Sequence, residues 1–447
     1  MTAEPQRLFR LACQSQNYAW GKVGRQSLVG QFAQNSGIPI DEHTPYAELW
    51  MGTHPNAPSA LWPQGRDPLA APSDAQVTLA EYLADPDHAR TLLGRPVTET
   101  FGGQLPFLFK VLSIAKALSI QAHPDKALAE RLHSQSPNIY KDPNHKPEMA
   151  IGLTPFEALC GFRDLATIAR FCHNFPPLAD LLGPVIVQDI DDAARRESAQ
   201  DDNHHQVCRE ALQALFHRLM TSDEARVRTC IEALLRLKSE GAMHHDLLDL
   251  VERLNQQYPG DVGVLCVFVL NHFVLNRGEA IFLGANEPHA YLFGDCIECM
   301  ATSDNVVRAG LTPKFKDVDV LVNMLTYSFG EAQNRIMRGT EQAGTDPGLT
   351  VRIYDPPIPE FTVAQVTVEQ SGVPHVLDPV PGPSIFIVTQ GSGQLGAHRK
   401  TTAGGDTFEA LPGMVFFAGA DTPLSIQKTD QLGGDFMCYR AFCTVAP

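Results

Sequence analysis

The spacing of apolar residues divides the chain into stretches of different period. Up to about residue 159 the apolar runs are short, as at 105–112 and 119–122, and Gly, Pro and Asn punctuate them, which predicts an all-β barrel or sandwich. After Gly161 the period lengthens. Cys208, Leu212, Leu215 and Leu219, then Val227, Ile231, Leu234 and Leu235, then Leu247, Leu250, Val251 and Leu254 each draw one apolar stripe along a helix. A helical block is therefore expected from about Phe162 to Tyr258. Pro259, Gly260 and Asp261 offer a turn and an N-cap, and the apolar run 262–270 behind them is expected to form one buried helix. Past Gly278 the strands return, first at 280–283 and then from about Ala332 in close succession, most clearly at 362–368 and 384–389.

An internal repeat ties the β regions together. Residues 278–289, GEAIFLGANEPH, align without gaps to residues 413–424, GMVFFAGADTPL. A glycine, two apolar strand positions and Gly-Ala-(Asn/Asp)-x-Pro recur in register, so two copies of one β-barrel unit are expected. Leu424 stands where the first copy has His289, which assigns a ligand site to the first copy alone.

Composition narrows the function. At 447 residues the chain has room for two or three domains, and 44% hydrophobic with 19% charged residues is the balance of an ordinary globular protein. A net charge of −16 argues against nucleic acid or an anionic membrane as the main partner, because both reward a basic face. An anionic ligand would need local positive charge. Residues 1–5 are polar with no apolar leader, and the run 262–270 is far too short to span a bilayer, so a soluble, cytoplasmic protein is expected. Ten cysteines spread from Cys13 to Cys443 form no disulfide framework. Cys296 and Cys299 make the one tempting pair, and with no second pair to complete a structural zinc site they read as core.

The densest chemistry lies at 140–148, Tyr-Lys-Asp-Pro-Asn-His-Lys-Pro-Glu, where two cations, two carboxylates, an amide and an imidazole stand between prolines. Alone, such a stretch reads as a solvated turn. Other segments change that reading. Gln121 and His123 fall on the same face of a strand, Glu148 adds a carboxylate and His289 a second imidazole, a plausible Zn²⁺ set with water or substrate completing the shell. From His289 to Lys314 acid, base and cation alternate among Met, Ala and Gly, as along a lined cleft, and Arg308 and Lys314 suit a phosphate. Aromatics stand beside polar groups at 17–22 and 46–55, which include Trp20, Glu48 and Trp50; this fits a carbohydrate-facing surface as readily as core. His204-His205 and His244-His245 diverge by about 100° on a helix and read as solvated faces.

The 140–148 motif and the run from His289-Ala290-Tyr291 to Thr312-Pro313-Lys314 resemble the two signature stretches of the type I mannose-6-phosphate isomerases. Segments 47–55, 118–124 and 258–261 are similar to that family too, and the resemblance runs from Asn17 to about Tyr354, more loosely to the end. It implies a mainly β fold of two cupin-type jelly-roll barrels with an α-helical insertion domain. The catalytic jelly roll would occupy 1–160 and 260–331, the insertion 161–259, and a C-terminal jelly roll lacking the metal site 332–447. The implied activity is that of an aldose-ketose isomerase, which interconverts mannose 6-phosphate and fructose 6-phosphate through an enediol and feeds GDP-mannose synthesis. One Zn²⁺ per chain would sit on Gln121, His123, Glu148 and His289, with Arg308 as the catalytic arginine.

Such a reaction needs a base near C1 and C2 and positive charge near both oxygens. Lys146 leads the candidates for the base, with Glu298 and Asp304 as rivals. Ser119, Lys110 and Lys314 are expected to hold phosphate and substrate, and Trp20, Glu48 and Tyr291 to complete the substrate contacts. The partner is then a small sugar phosphate, bound by a monomer. Two rival readings stand beside this one. Without Gln121, the set His123, Glu148 and His289 suits an Fe²⁺ cupin oxygenase, and a non-catalytic sugar-binding cupin would need neither Arg308 nor Lys146.

Overall fold

The computed structural model describes residues 6–63, 76–199, 204–241, 245–343, 346–398 and 407–445; the polar residues 1–5 and His244 lie outside them. Its strands fall into two sets. The first is β1 (Phe107–Ile114), β2 (Ile120–Ala122), β3 (Glu148–Gly152), β4 (Phe156–Phe162), β5 (Leu270–Leu275), β6 (Ala280–Leu283) and β7 (His289–Ala301). The second is β8 (Thr362–Val368), β9 (Pro374–Leu377), β10 (Ser384–Gln390), β11 (Ser392–Ala397), β12 (Thr407–Ala410), β13 (Val415–Ala418), β14 (Leu424–Thr429) and β15 (Phe436–Phe442).

The two sets share one antiparallel wiring. β7 pairs β1 and β3 as β15 pairs β8 and β10. β7 also pairs β2 and β4, as β14 pairs β9 and β11. β6 pairs β3 as β13 pairs β10, and β4 pairs β5 as β11 pairs β12. The repeat visible in the sequence is therefore β6 and β13 with the turn behind each. In that turn Asn286 and Asp421 take φ values of 63° and 56°, left-handed backbone that Asn and Asp tolerate better than other side chains. One difference separates the sets. β7 runs unbroken through both of its sheets, bending at Gly294 (φ 111°), where the second set uses separate strands β14 and β15.

The chain's start stitches the sets together. Strand Leu8–Ala12 pairs β13, and Glu48–Met51 pairs β1. β1 is buried at every position because its faces feed different cores. Phe109 and Val111 pack toward the second set, whereas Leu112 and Ile114 pack inside the first. Cys296 and Cys299 lie three apart on β7 and so enter these same two cores from opposite faces, which is why they form no CxxC site. All ten cysteines are free and buried.

Between β4 and β5 stands the helical block, six helices from Leu165–Asn174 to His245–Gln257 among the described residues. Cys208, Leu212, Leu215, Leu219, Val227, Ile231, Leu234, Leu250, Val251 and Leu254 share one buried core, as their period predicts. The run behind them differs from expectation: it is a 3₁₀ helix, Val262–Phe268, capped by Asp261 and passing directly into β5. No helix among the described residues is long and apolar enough to cross a membrane.

Helix and strand take nearly equal shares, 33% and 31%, so the fold is mixed rather than mainly β, and no closed barrel is found among the described residues. Part of the excess helix lies in the stretch expected to be all β: Leu28–Asn35, Leu79–Leu83, Pro86–Leu93, Arg95–Phe101 and Lys126–Gln135. These helices are too short to show an apolar period. Four of their starts are nonetheless written in the caps Ser27, Thr78 (with Glu81 in a capping box), Asp85 ahead of Pro86, and Asp125.

The bend in β7 is open to test. A Cβ on Gly294 would lie 2.4 Å from the Pro155 carbonyl oxygen, whereas Gly102, also left-handed at φ 63°, has nothing within 4 Å. Gly102→Ala should lower the unfolding free energy by about 1 kcal/mol, and Gly294→Ala by about 3 kcal/mol or more. Equal losses in urea titrations would refute the packing account.

Candidate active site

Three side chains from three strand ends converge in the first set. His123 follows β2, Glu148 opens β3 and His289 opens β7. Glu148 Oε2 lies 3.4 Å from His123 Nε2 and 3.3 Å from His289 Nε2, and Lys146 Nζ donates to Glu148 Oε1 at 2.7 Å. Each imidazole is oriented by its other nitrogen. His123 Nδ1 donates to the Asn305 carbonyl at 2.6 Å, and His289 Nδ1 to the Glu287 carbonyl at 2.9 Å. A carbonyl can only accept, so both rings carry their proton on Nδ1 and turn a lone pair inward at Nε2.

Those inward atoms have no partner. His123 Nε2, His289 Nε2 and Glu148 Oε2 are buried without a hydrogen bond among the described residues. Two neutral imidazole nitrogens and a carboxylate oxygen, all within 4.8 Å of one another, are a donor set that zinc takes. Gln121 stands opposite His289 in the ladder, where its amide can serve as a fourth donor. Burial pushes the His123 imidazole down to about 4, against the pull of Glu148. Burial alone would raise the Glu148 carboxyl, but the charge of Lys146 and the contacts with His123 and His289 outweigh it and hold the group well below the usual range. No other group of three His, Cys, Asp or Glu side chains converges in this way among the described residues. His204 and His205 lie ring against ring, and His205 also meets Phe329.

The polar stretch 140–148 is not a free turn. Asp142 accepts from Ser303 Oγ and the Asp304 amide, Asn305 Nδ2 donates to the Asp142 and Asn144 carbonyls, and Asn144 Nδ2 donates to the Thr302 carbonyl. The same Asn305 orients His123. Tyr140 Oη donates to Asp317, and His145 bonds Glu360, in the segment ahead of β8, at 2.5 Å.

In front of the triad opens a cavity of about 510 Å³. Lys110, buried on its floor, stands between Glu48 at 3.3 Å and Glu298 at 3.1 Å, with its nitrogen 5.0 Å from the Trp50 ring. Its charge is already shared by two carboxylates. Burial raises the Glu298 carboxyl, and Lys110 offsets this only in part. Gln121, Lys146, Tyr291, Trp20 and Ser119 line the walls. Arg308, paired with Gln121 in the ladder, and Lys314 reach the rim; neither side chain has an ion pair or hydrogen bond among the described residues. Asp304, half-exposed, lies 3.6 Å from His54, and that contact lowers its carboxyl. The cavity also takes in Tyr18, His54, Tyr258 and Thr312, which the sequence reading did not assign to a site although Tyr18 precedes Trp20 by two and His54 follows Trp50 by four.

Comparison with known proteins places this geometry. Models of the phosphomannose isomerase type I catalytic domain, helical insertion domain and C-terminal region match residues 8–165, 181–270 and 352–398. The mannose-6-phosphate isomerase of Schizosaccharomyces pombe is 40% identical over 447 residues, covering 98% of this chain and 100% of the relative. The chain belongs to the type I phosphomannose isomerase family. The mannose-6-phosphate isomerase of Candida albicans is 43% identical, covering 98% of this chain and 99% of its own. Among solved structures, a lysine-to-alanine variant of phosphomannose isomerase from Salmonella typhimurium matches with a TM-score of 0.77 at 28% identity, over 98% of this chain and all of that one. A mannose 6-phosphate isomerase bound with zinc and yttrium matches with a TM-score of 0.75 at 28% identity and the same coverage.

In this member of the phosphomannose isomerase family, register explains why only one strand set carries the triad. Glu148 stands opposite Leu283 and Met300, and Ser384 stands opposite Ala418 and Phe442 in the second set. Gln121 opposite His289 becomes Leu377 opposite Leu424. His289→Ala should therefore reduce zinc affinity by more than the 10–100-fold that outer-shell changes cost. Leu424→Ala should keep zinc and lose about 2–5 kcal/mol of stability. Equal zinc loss in both, read by elemental analysis after dialysis, would overturn the one-site account.

The His123 shift has a sign. Between pH 6.5 and about 4 the unfolded chain protonates this histidine and the folded, chelated protein does not, so the unfolded state binds more protons and stability falls as pH drops through that window, by roughly 3 kcal/mol. His123→Asn should remove that part of the slope in chelated protein. An unchanged slope would show that His123 does not carry it.

Proposed function

We propose that the chain interconverts mannose 6-phosphate and fructose 6-phosphate, with zinc held by Gln121, His123, Glu148 and His289 and the sugar phosphate in the adjoining cavity. The observation that carries this reading is the unpaired buried donor set opening onto a cavity whose rim arginine is also unpaired. The fungal relatives named as mannose-6-phosphate isomerases support it along the whole chain. In this reading each strand set is a cupin-type jelly roll. The domains run 1–160 with 260–331, 161–259 and 332–447, one chain supplies a complete site, and free buried thiols fit a cytoplasmic address.

Bound zinc supplies Lewis-acid positive charge toward the sugar oxygens at C1 and C2. Isomerisation moves a proton between those carbons through an enediol, so one group must take it from C2 and return it to C1. Glu298 is assigned this task. Its carboxyl is buried in the cavity and raised by that burial, whereas Asp304 is half-exposed with its carboxyl lowered, and Lys146 is committed as a donor to Glu148. Lys146 fixes the carboxylate that faces the metal. Arg308 offers its free guanidinium to the negative charge that develops on the enediol oxygens. Lys314 and Ser119 hold the phosphate, Lys110 fixes Glu298, and Glu48, Trp20 and Tyr291 shape the sugar end.

Freshly zinc-loaded protein should form fructose 6-phosphate from mannose 6-phosphate in a coupled assay, and chelation should abolish the activity; an inactive loaded protein would sink the proposal. Arg308→Ala should lower kcat about 10²–10³-fold with zinc retained. Glu298→Gln should lower it about 10²–10⁴-fold, also with zinc retained. A larger loss in Lys146→Met than in Glu298→Gln at equal zinc content would move proton transfer to Lys146.

A further inference from the structure

The second strand set encloses a cavity of about 420 Å³ at the position that the catalytic cleft occupies in the first. Register fixes the equivalence. Arg440 stands opposite Ala364 and Phe386, as Glu298 stands opposite Lys110 and Ala150. Phe442 takes the place of Met300 and Leu377 that of Gln121. With Ser384 and Leu424 in place of Glu148 and His289, the metal chemistry is gone. What remains is a buried cation. Arg440 is 6% exposed. Its Nε donates to Ser384 Oγ at 3.0 Å, its Nη1 donates to the Asp378 carbonyl at 3.2 Å, and its guanidinium lies 5.0 and 5.3 Å from the Phe386 and Phe442 rings.

No carboxylate forms an ion pair with Arg440 among the described residues. Burial accordingly lowers the guanidinium to about 10, against the smaller pull of Cys438 and Asp378. A second polar group is buried next to the lining residue Val376. His375 is 1% exposed and neither ring nitrogen has a hydrogen-bond partner; Nδ1 is 3.8 Å from Asp346, which lines the cavity. Beside Arg440 on the same sheet lies an apolar strip of Val351, Ile353, Ala364 and Val366, and Gln342, Asp346 and Asp378 complete the lining with polar groups. Asp346 and Asp378 are exposed, so solvent screens their charge.

We propose that this cavity is a second ligand site, which takes a small monocarboxylate with an apolar body. The carboxylate meets the planar fork of Arg440, whose geometry matches it, and the chain lies against Val351, Ile353 and Val366. A sugar phosphate is a poor fit beside Arg440, because Val351, Ile353 and Val366 offer its hydroxyls no hydrogen bond. The site is independent of the isomerase reading and stands or falls without it.

Octanoate is the probe, added to the full zinc-loaded chain. It should bind saturably at one site by calorimetry and raise Tm, while octylammonium does neither and mannose 6-phosphate does not compete. Arg440→Met should weaken binding at least about tenfold, and Val366→Phe, which fills the cavity and leaves Arg440 in place, should weaken it as much. Both variants should keep the wild-type turnover. The proposal is overturned by no saturable binding at millimolar octanoate, by equal binding of octylammonium, by competition from mannose 6-phosphate, or by wild-type affinity in either variant that folds.

Discussion

The structure depends on one unfavourable act, the burial of a carboxylate against two imidazoles whose facing nitrogens carry no proton. Neutral imidazoles cannot neutralise Glu148, and among the described residues only Lys146 pairs with its other oxygen. Taking such a group out of water costs several kcal/mol unless a charge answers it. The surroundings are built to hold that arrangement until a cation does so. Both histidines are pinned through Nδ1 to backbone carbonyls, so the rings cannot turn away, and the carbonyl that pins His123 belongs to Asn305.

Asn305 shows how the two polar stretches act as one part. Its amide bonds the backbone of the 140–148 stretch, its carbonyl orients His123, and Ser303 beside it bonds Asp142. A change that loosens Asp142 therefore reaches the metal centre through two bonds, with no contact to a ligand. Pro143 and Pro147 limit the backbone on either side of Lys146, two residues before the carboxylate it fixes. The density of polar groups that suggests a solvated turn is the density needed to satisfy a loop packed against another loop.

What the sequence revealed follows from how local each signal is. The helical block was legible because three such stripes follow one another from Cys208 to Leu254, and the β6–β13 repeat because the left-handed Asn286 and Asp421 and the glycines around them leave few alternatives. The five short helices before residue 140 were not, since runs of five to ten residues sustain no clear period and only the caps of four of them betray them. Many of the residues that converge on the cleft could be gathered from the signature stretches and the segments around 20, 48 and 121, but their charge state could not. That Lys110 is held between Glu48 and Glu298 depends on lateral register across three strands, and a linear sequence does not print register. The same blindness hid the buried Arg440, which looks like any strand arginine until Ala364 and Phe386 are seen beside it.

Register also gives the helical block a purpose that its sequence does not suggest. It interrupts the link between β4 and β5, which in the second set is the short connection from β11 to β12. Its last helix and the turn behind it clamp both rims of the cleft. Gln257 Oε1 accepts from the Ala117 amide and Tyr258 Oη donates to the Ala117 carbonyl, two residues before Ser119. Asp261 then accepts from the Gly263 and Leu311 amides, holding Leu311 at φ 52° just ahead of Thr312 and Lys314. Left-handed leucine is strained, and it persists only where its surroundings over-determine it. Gly263 and Gly310 approach so closely there that a Cβ on either would fall within 2.5 Å of the other segment. Ser119 and Lys314, the two groups assigned to the phosphate, therefore owe their spacing to a helical element that contributes only Tyr258, at its end, to the cleft wall.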